Sequence, residues 1–185
     1  MKIGIIADTH GNLEGWQRAW EFLHDSDVIF HCGDLLYHGP RFVPAPGYAP
    51  RELAEALNHC PIPLLIAQGN ADSEVDALFV HLPIQSPYAF AQIEGQRILA
   101  THGHRDSLES CLERCQKWGI DTFLSAHLHV PQVTRHGSLI HINPGSPTYP
   151  LAEEERLARP TCAAIVDGEP QFWALDTGER LEVGE

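Results

Sequence analysis

Ile3-Gly4-Ile5-Ile6-Ala7 is an apolar run of strand length that breaks abruptly into the polar triplet Asp8-Thr9-His10. Four further runs behave alike: Val28–Cys32, Leu64–Ala67, Arg97–Thr101 and Thr122–Ala126. Between them, Leu13–Leu23, Pro50–His59 and Ser107–Trp118 carry apolar residues at three- and four-residue steps, with Asn12, Pro50 and Asp106 near their starts, where helix-initiating residues belong. Short apolar runs alternating with amphipathic stretches predict βαβ units, and hence an α/β fold built on a parallel sheet. After residue 130 the texture changes. Gln132–Arg135, Leu139–Ile142, Cys162–Val166 and Gln171–Leu175 are shorter alternating segments joined by turn formers such as His136-Gly137 and Asp167-Gly168, which predicts antiparallel strands in a second sheet packed on the first. Two long loops rich in Pro and Gly, 37–50 and 143–160, are expected to be functional.

The chain of 185 residues, 43% hydrophobic and 20% charged, suits one domain spanning residues 1–185, with no repeat and no linker. Its 25 acidic against 12 basic residues set a formal charge of −13, which argues against long nucleic acid or an anionic bilayer as partner and leaves a homo-oligomer open. The first apolar run is too short for a secretory signal or a membrane span. Five cysteines, odd in number and without a Cys-x-x-Cys spacing, suggest neither a disulfide framework nor a thiolate zinc site, so the cytoplasm is the expected compartment. Cys111 and Cys115, four apart on an expected helix, read as small packing residues.

The residues that end the apolar runs are chemically unusual. They are Asp8-Thr9-His10, Gly33-Asp34, Gly69-Asn70-Ala71-Asp72, His102-Gly103-His104 and His127-Leu128-His129. In open α/β sheets the groups just beyond the carboxyl ends of strands face one crevice, so five segments can converge. Residues two apart on extended backbone point to the same side, so Asp8 with His10, and His127 with His129, could bind one ion or bridge two. A donor set of carboxylate, amide oxygen and imidazole without thiolate suits Mn, Fe, Ni, Co or Zn, and Asp34 is the natural bridge between two cations. Taken singly, each piece also fits a helix cap, a turn or a surface His. The ordered set, each member at a strand end, favours a dinuclear site.

In that order the motifs Asp8-x-His10, Gly33-Asp34, Gly69-Asn70-x-Asp72, His102-Gly103-His104 and Ala126-His127-x-His129 resemble those of the calcineurin-like metallophosphoesterases, in particular the small bacterial phosphodiesterases of the YfcE type. Tyr37-His38-Gly39-Pro40-Arg41, Pro46-Gly47-Tyr48-Ala49-Pro50, Asp72-Ser73-Glu74-Val75-Asp76 and Asn143-Pro144-Gly145-Ser146 extend the likeness along most of the chain. The resemblance implies a four-layer αββα sandwich of two mixed sheets flanked by helices. It implies two divalent ions, Mn²⁺ first and Fe, Ni, Co or Zn as alternatives, with Asp8, His10 and His129 on one, Asn70, His102 and His127 on the other, and Asp34 shared. It further implies hydrolysis of a small phosphodiester by a hydroxide held between the ions, with a phosphomonoesterase or a non-catalytic scaffold as alternatives. Asp72 would orient a neighbouring ligand, or else cap a helix over 74–79.

Two positions depart from the wider family pattern. Ala71 stands where many members have a His thought to protonate the leaving alkoxide, a loss shared by the YfcE-like subgroup; His104 and His38 are the substitutes available. Ala126 replaces a Gly, tolerable if φ stays negative. Catalytic candidates are therefore Asp34, Asn70 and His104; Asn70, His38 and Arg41 are the candidate substrate contacts, Arg41 through a charge-assisted contact to phosphoryl oxygen.

Overall fold

The computed structural model describes residues 1–184. Twelve strands, β1 (Lys2–Ile6), β2 (Val28–His31), β3 (Leu64–Ala67), β4 (Ile84–Gln85), β5 (Ala89–Ile93), β6 (Gln96–Ala100), β7 (Thr122–Leu124), β8 (Pro131–His136), β9 (Leu139–Pro144), β10 (Thr161–Val166), β11 (Glu169–Ala174) and β12 (Arg180–Leu181), form two sheets. Three α-helices accompany them, α1 (Leu13–Leu23), α2 (Pro50–Asn58) and α3 (Leu108–Trp118). The larger sheet runs β12-β11-β10-β1-β2-β3-β4 and the smaller β5-β6-β7-β9-β8. Each is mixed. β1 to β4 are parallel, with β10 to β12 added antiparallel; β6, β7 and β9 are parallel, with β5 and β8 as antiparallel edges.

The helices start where local chemistry allows. The Asn12 side chain accepts from the Gly15 amide to open α1, Pro50 occupies the first turn of α2, and Ser107 caps α3, which stops at Gly119 with φ +65°. Trp16, Ala19 and Leu23 of α1 and Leu53, Ala54 and Leu57 of α2 pack on Ile6, Ile29 and Ile66, the outer face of the larger sheet. Between the sheets lie Ile3, Ile5 and Phe30 from one and Ile98, Leu124 and Ile142 from the other. Cys111 and Cys115 of α3 pack on Leu99 and Phe123, on the far face of the smaller sheet. The order of layers is therefore helix, sheet, sheet, helix, as expected.

The partition of strands differs from the expectation. The chain does not change sheet at residue 130: β6 and β7 already belong to the smaller sheet, and β10 to β12 return to the larger one. β1 is buried on both faces and needs a neighbour on each side; β10 supplies the second by pairing Ile3 with Ile165. The segment 74–79 forms only a single 3-10 turn, Asp76–Leu78.

Candidate metal centre

The five polar motifs meet where the carboxyl ends of strands from both sheets come together. Asp8, Asp34 and Asn70 follow β1, β2 and β3, while His102 and His127 follow β6 and β7. The His127 amide donates to Asp8 Oδ2 at 3.2 Å, which stitches the two sheets at this point. Convergence across two sheets, rather than along one, is the difference from the sequence expectation.

A second difference concerns the backbone. Asp8 (φ 53°), His10 (47°), Asp34 (57°), His127 (71°) and His129 (57°) all lie in the left-handed region, so the paired motifs do not share a side through an extended chain. Each turns sharply, and the turns aim the side chains inward. Left-handed non-glycine residues are costly and gather where function over-determines them. The other two such residues, Glu94 and Asp167, stand before Gly95 and Gly168 in hairpin turns. Ala126 is not among the positive-φ residues, so the Gly-to-Ala departure carries no strain.

Three imidazoles are oriented alike. His10, His102 and His129 donate from Nδ1–H to the carbonyls of Tyr37 (2.7 Å), Cys32 (2.9 Å) and Tyr149 (2.6 Å). Each Nε2 lone pair is thereby left facing the centre, the orientation a metal-ligating imidazole takes. His10 Nε2 lies 3.3 Å from His129 Nε2, and His127 Nδ1 lies 3.2 Å from His102 Nε2. Asn70 Oδ1 is 3.1 Å from His102 Nε2. Lone pairs brought together at such distances repel unless a proton or a cation lies between them.

The carboxylates complete the cluster. Asp8 Oδ1 is buried without a hydrogen-bond partner, yet it lies 3.2 Å from His129 Nε2, 3.8 Å from His10 Nε2 and 3.9 Å from His102 Nε2. Asp34 divides its oxygens: Oδ1 accepts from the Ala71 amide at 2.8 Å, and Oδ2 faces His102 Nε2 (3.3 Å) and His10 Nε2 (3.6 Å). One oxygen that looks toward both halves suits a bridging ligand. The groups Asp8–His10–His129 and Asp8–Asp34–His102 each gather close enough to hold an ion. Asp8, His10, Asp34, His102 and His129 are buried, whereas Asn70 and His127 are exposed at the rim. The cluster thus has a deep side and an open side.

The electrostatics show strong coupling. Burial alone would lower the His102 pKa, but the Asp34 and Asp8 carboxylates outweigh it and raise it to about 9. Burial opposes ionisation of Asp34, while His102 and the Ala71 amide hold it at about 2. His129 is raised against its burial by Asp8, and His10 and His127 are lowered chiefly by burial. A pocket that draws a proton onto His102 is one where a cation would be welcome, because both compete for one lone pair.

Neighbouring groups hold the ligands in place. The Asp72 carboxylate accepts from the amides of Asp34 (2.9 Å), Leu35 (2.6 Å) and Gly69 (2.7 Å) and so ties the loop after β2 to the loop after β3. It therefore orients Asp34 and does not cap a helix, which corrects the second reading of that residue. Gly69 is required by space: a Cβ there would stand 2.1 Å from Asp34 Oδ1.

A cavity of about 480 Å³ opens on the exposed side of the cluster, with His38, Arg41, Asn70 and Ala71 in its wall. His104 does not line this cavity. It lies behind His102, ring centroids 5.4 Å apart; its Nε2 accepts from Arg105 Nε at 3.2 Å, and its Nδ1 is buried without a partner. Phe42, which lines the cavity, and Tyr149, which stacks on Phe42 and bonds the loop at Val43 and Ala45, belong to none of the sequence motifs. They stand far apart in sequence, and nothing in either neighbourhood signals that they meet.

Layered α/β architecture with inward-facing imidazoles and carboxylates at its strand ends defines a metal-dependent hydrolase. The profile of the calcineurin-like phosphoesterase superfamily domain matches residues 1–169, and the chain belongs to that family of phosphoric ester hydrolases. It is 36% identical over 152 residues to phosphodiesterase YfcE of Escherichia coli K12, covering 81% of each chain. It is 28% identical over 189 residues to a phosphodiesterase of Methanocaldococcus jannaschii, covering 97% of this chain and 95% of that one. The solved structure of the E. coli YfcE phosphoesterase superposes with a TM-score of 0.83 at 28% identity, over 98% of this chain and 97% of the other. Vacuolar protein sorting 29 of Cryptosporidium parvum shares the fold, with a TM-score of 0.69 at 18% identity over 97% of this chain and 94% of its own.

Proposed function

We propose that residues 1–185 form one metallophosphoesterase domain that hydrolyses small phosphodiesters with two divalent ions, Mn²⁺ first among them. The observation that carries this reading is the buried Asp8 Oδ1, unpartnered and facing the Nε2 atoms of His10, His102 and His129. Asp8, His10 and His129 would hold one ion, Asn70, His102 and His127 the other, and Asp34 both. When bound, such a pair supplies Lewis acidity, neutralising phosphoryl oxygens and acidifying the water that attacks phosphorus.

The chain's own residues do the rest. Asn70, exposed at the rim, donates its amide N–H to a phosphoryl oxygen, and Arg41 adds a charge-assisted contact from the wall it shares with His38. His38 is the better placed of the two candidate acids, because it lines the cavity while the His104 Nε2 is engaged by Arg105. The Ala71 methyl in the wall offers no proton, which favours diesters whose leaving group departs readily over monoesters of poor alcohols. Five free cysteines suit a reducing compartment and so favour a cytoplasmic site of action.

Replacing Asp34 by Asn should abolish turnover of bis(p-nitrophenyl) phosphate and remove at least one equivalent of metal while the domain stays folded. A fully active, metal-replete variant would refute the dinuclear assignment. With wild-type protein and added Mn²⁺, the diester should be turned over faster than p-nitrophenyl phosphate. The reverse order would establish the monoesterase, and no turnover of either would establish the scaffold.

A further inference from the structure

The cavity beside the metal ligands is walled in part by rings. Phe42 lies flat on Tyr149, centroids 4.2 Å apart at an interplanar angle of 3°, and approaches His129 at 5.4 Å and His10 at 5.7 Å. Tyr37 packs on His38 at 4.9 Å, and His38 in turn meets Tyr48 edge-on at 5.2 Å. Tyr37, His38 and Phe42 all line the same cavity, and Arg41 stands between them in sequence with its guanidinium 5.4 Å from the Phe42 ring centre.

This wall is held firmly. The Tyr149 hydroxyl donates to the Val43 carbonyl at 2.8 Å and accepts from the Ala45 amide at 3.0 Å, which fastens the loop after β2 to the segment after β9. The Asn12–Tyr48 bridge and the Leu13 amide, bonded to the Gly47 carbonyl at 3.0 Å, anchor the far end of the same loop. Aromatic surface kept half-open next to a charged catalytic cluster is not needed to bind the phosphoryl group, which is polar. It matches the organic part of a substrate, and flat rings pack on aromatic walls through offset stacking that aliphatic groups cannot reproduce.

We propose that Phe42, supported by Tyr149, forms a subsite for the arm that stays on phosphorus and selects phosphodiesters in which that non-leaving arm carries a flat aromatic ring. The inference rests on the phosphodiesterase reading above and deepens it by naming the class of arm. Phe42 is the residue in contact with that arm; Tyr149 is a positioning residue that holds Phe42 and its loop. The acidic balance of the chain agrees with a small, singly charged diester rather than a polyanion.

The test keeps the scissile bond constant. p-Nitrophenyl benzyl, p-nitrophenyl cyclohexylmethyl and p-nitrophenyl ethyl phosphates share a leaving group and differ in the flatness and size of the other arm. Wild-type protein loaded with Mn²⁺ should show kcat/KM for the benzyl diester about tenfold above the ethyl and several-fold above the cyclohexylmethyl diester, mostly through KM, in keeping with the worth of one ring stack. Phe42→Leu should bring the benzyl to cyclohexylmethyl ratio toward unity, and Phe42→Trp should keep it. Tyr149→Phe, which retains the ring but loses the hydroxyl clamp, should reduce the ratio in part. Equal benzyl and cyclohexylmethyl constants in the wild type overturn the subsite, as does a preference that survives Phe42→Leu or is lost in Phe42→Trp. Absence of turnover of all three would instead refute the phosphodiesterase reading. The ring's contribution would then be read from dissociation constants of the same compounds, equal values overturning it.

Discussion

Asp8, His10, Asp34, His127 and His129 adopt a conformation that other residue types, glycine apart, seldom hold. The consequence is measurable at His127, which is exposed at the rim with φ 71°. His127→Ala and His127→Gly both remove the ligand, but only Gly relieves the backbone. In the metal-free protein His127→Gly should be more stable than His127→Ala by about 1 kcal/mol in urea unfolding, although glycine ordinarily destabilises. Equal stability would mean that the left-handed turn costs nothing there. Ala71 supports a second residue-scale expectation. Its side chain lines the cavity and its amide binds Asp34 Oδ1, so a longer side chain projects where a leaving group departs. Ala71→His should raise turnover of alkyl phosphomonoesters by about two orders of magnitude, the lower end of what general acid catalysis contributes. No gain on alkyl monoesters would show that leaving-group protonation does not limit them. The ligand types themselves were legible in the sequence, because Asp, His and Asn rarely close apolar runs five times over. Their left-handed backbone was not legible, since neither Asp nor His demands it.

At the scale of elements, α1 spans the residues its apolar spacing indicates, and the cores of β1, β2, β3, β6 and β7 fall where the apolar runs lie. β4 and β12, two residues each, and β5 (Ala89–Ile93) escaped notice: the first two are too short to show a period, and β5 is an edge strand with Phe90 turned to solvent. Sheet membership was hidden for a different reason. The β1–β10 pairing joins residues more than 150 positions apart, and no local pattern encodes a partner. Such pairing also buries a histidine that the motif reading passed over. His141 of β9 is hydrogen-bonded to Ser125 Oγ at 2.8 Å, just beyond β7, and to Thr134 Oγ1 of β8 at 3.2 Å, with its ring stacked on Phe123. Burial, and secondarily His136, lowers its pKa to about 4 from the usual 6.5. Below pH 6.5 the unfolded chain takes up a proton that the fold refuses, so stability from this group is complete above 6.5 and is lost as pH falls through 4. The loss should be on the order of 3 kcal/mol. His141→Gln, which can still bond Ser125 and Thr134, should flatten that part of the urea-unfolding profile between pH 7 and 4. An unchanged slope would show that His141 titrates as it does in the unfolded chain.

The whole molecule carries a formal charge of −13, and part of that excess is gathered at the centre: Asp8 and Asp34 are buried within one cluster, where two divalent cations would add four positive charges. Because Asp8 and Asp34 follow strands of the larger sheet while His102 and His127 follow strands of the smaller, ions bound there would cross-link the two halves of the sandwich. The His127–Asp8 hydrogen bond is a weak version of the same link. Ligands that bind the folded state alone stabilise it by about 2.7 kcal/mol at a concentration one hundred times Kd. For a chain of this size that corresponds to a rise in Tm of about 5–10 °C. Dialysis against a chelator should therefore lower Tm by about that much, and Mn²⁺ should restore it; calcium, with its larger radius and oxygen preference, should restore less. The Asp34→Asn variant separates this from general screening of an acidic surface, since it leaves most of the surface charge in place and removes the shared ligand. Its Tm should respond only weakly to Mn²⁺ at fixed ionic strength. A response as large as the wild type's would assign the stabilisation to surface carboxylates, and the centre would then have no part in holding the sheets together.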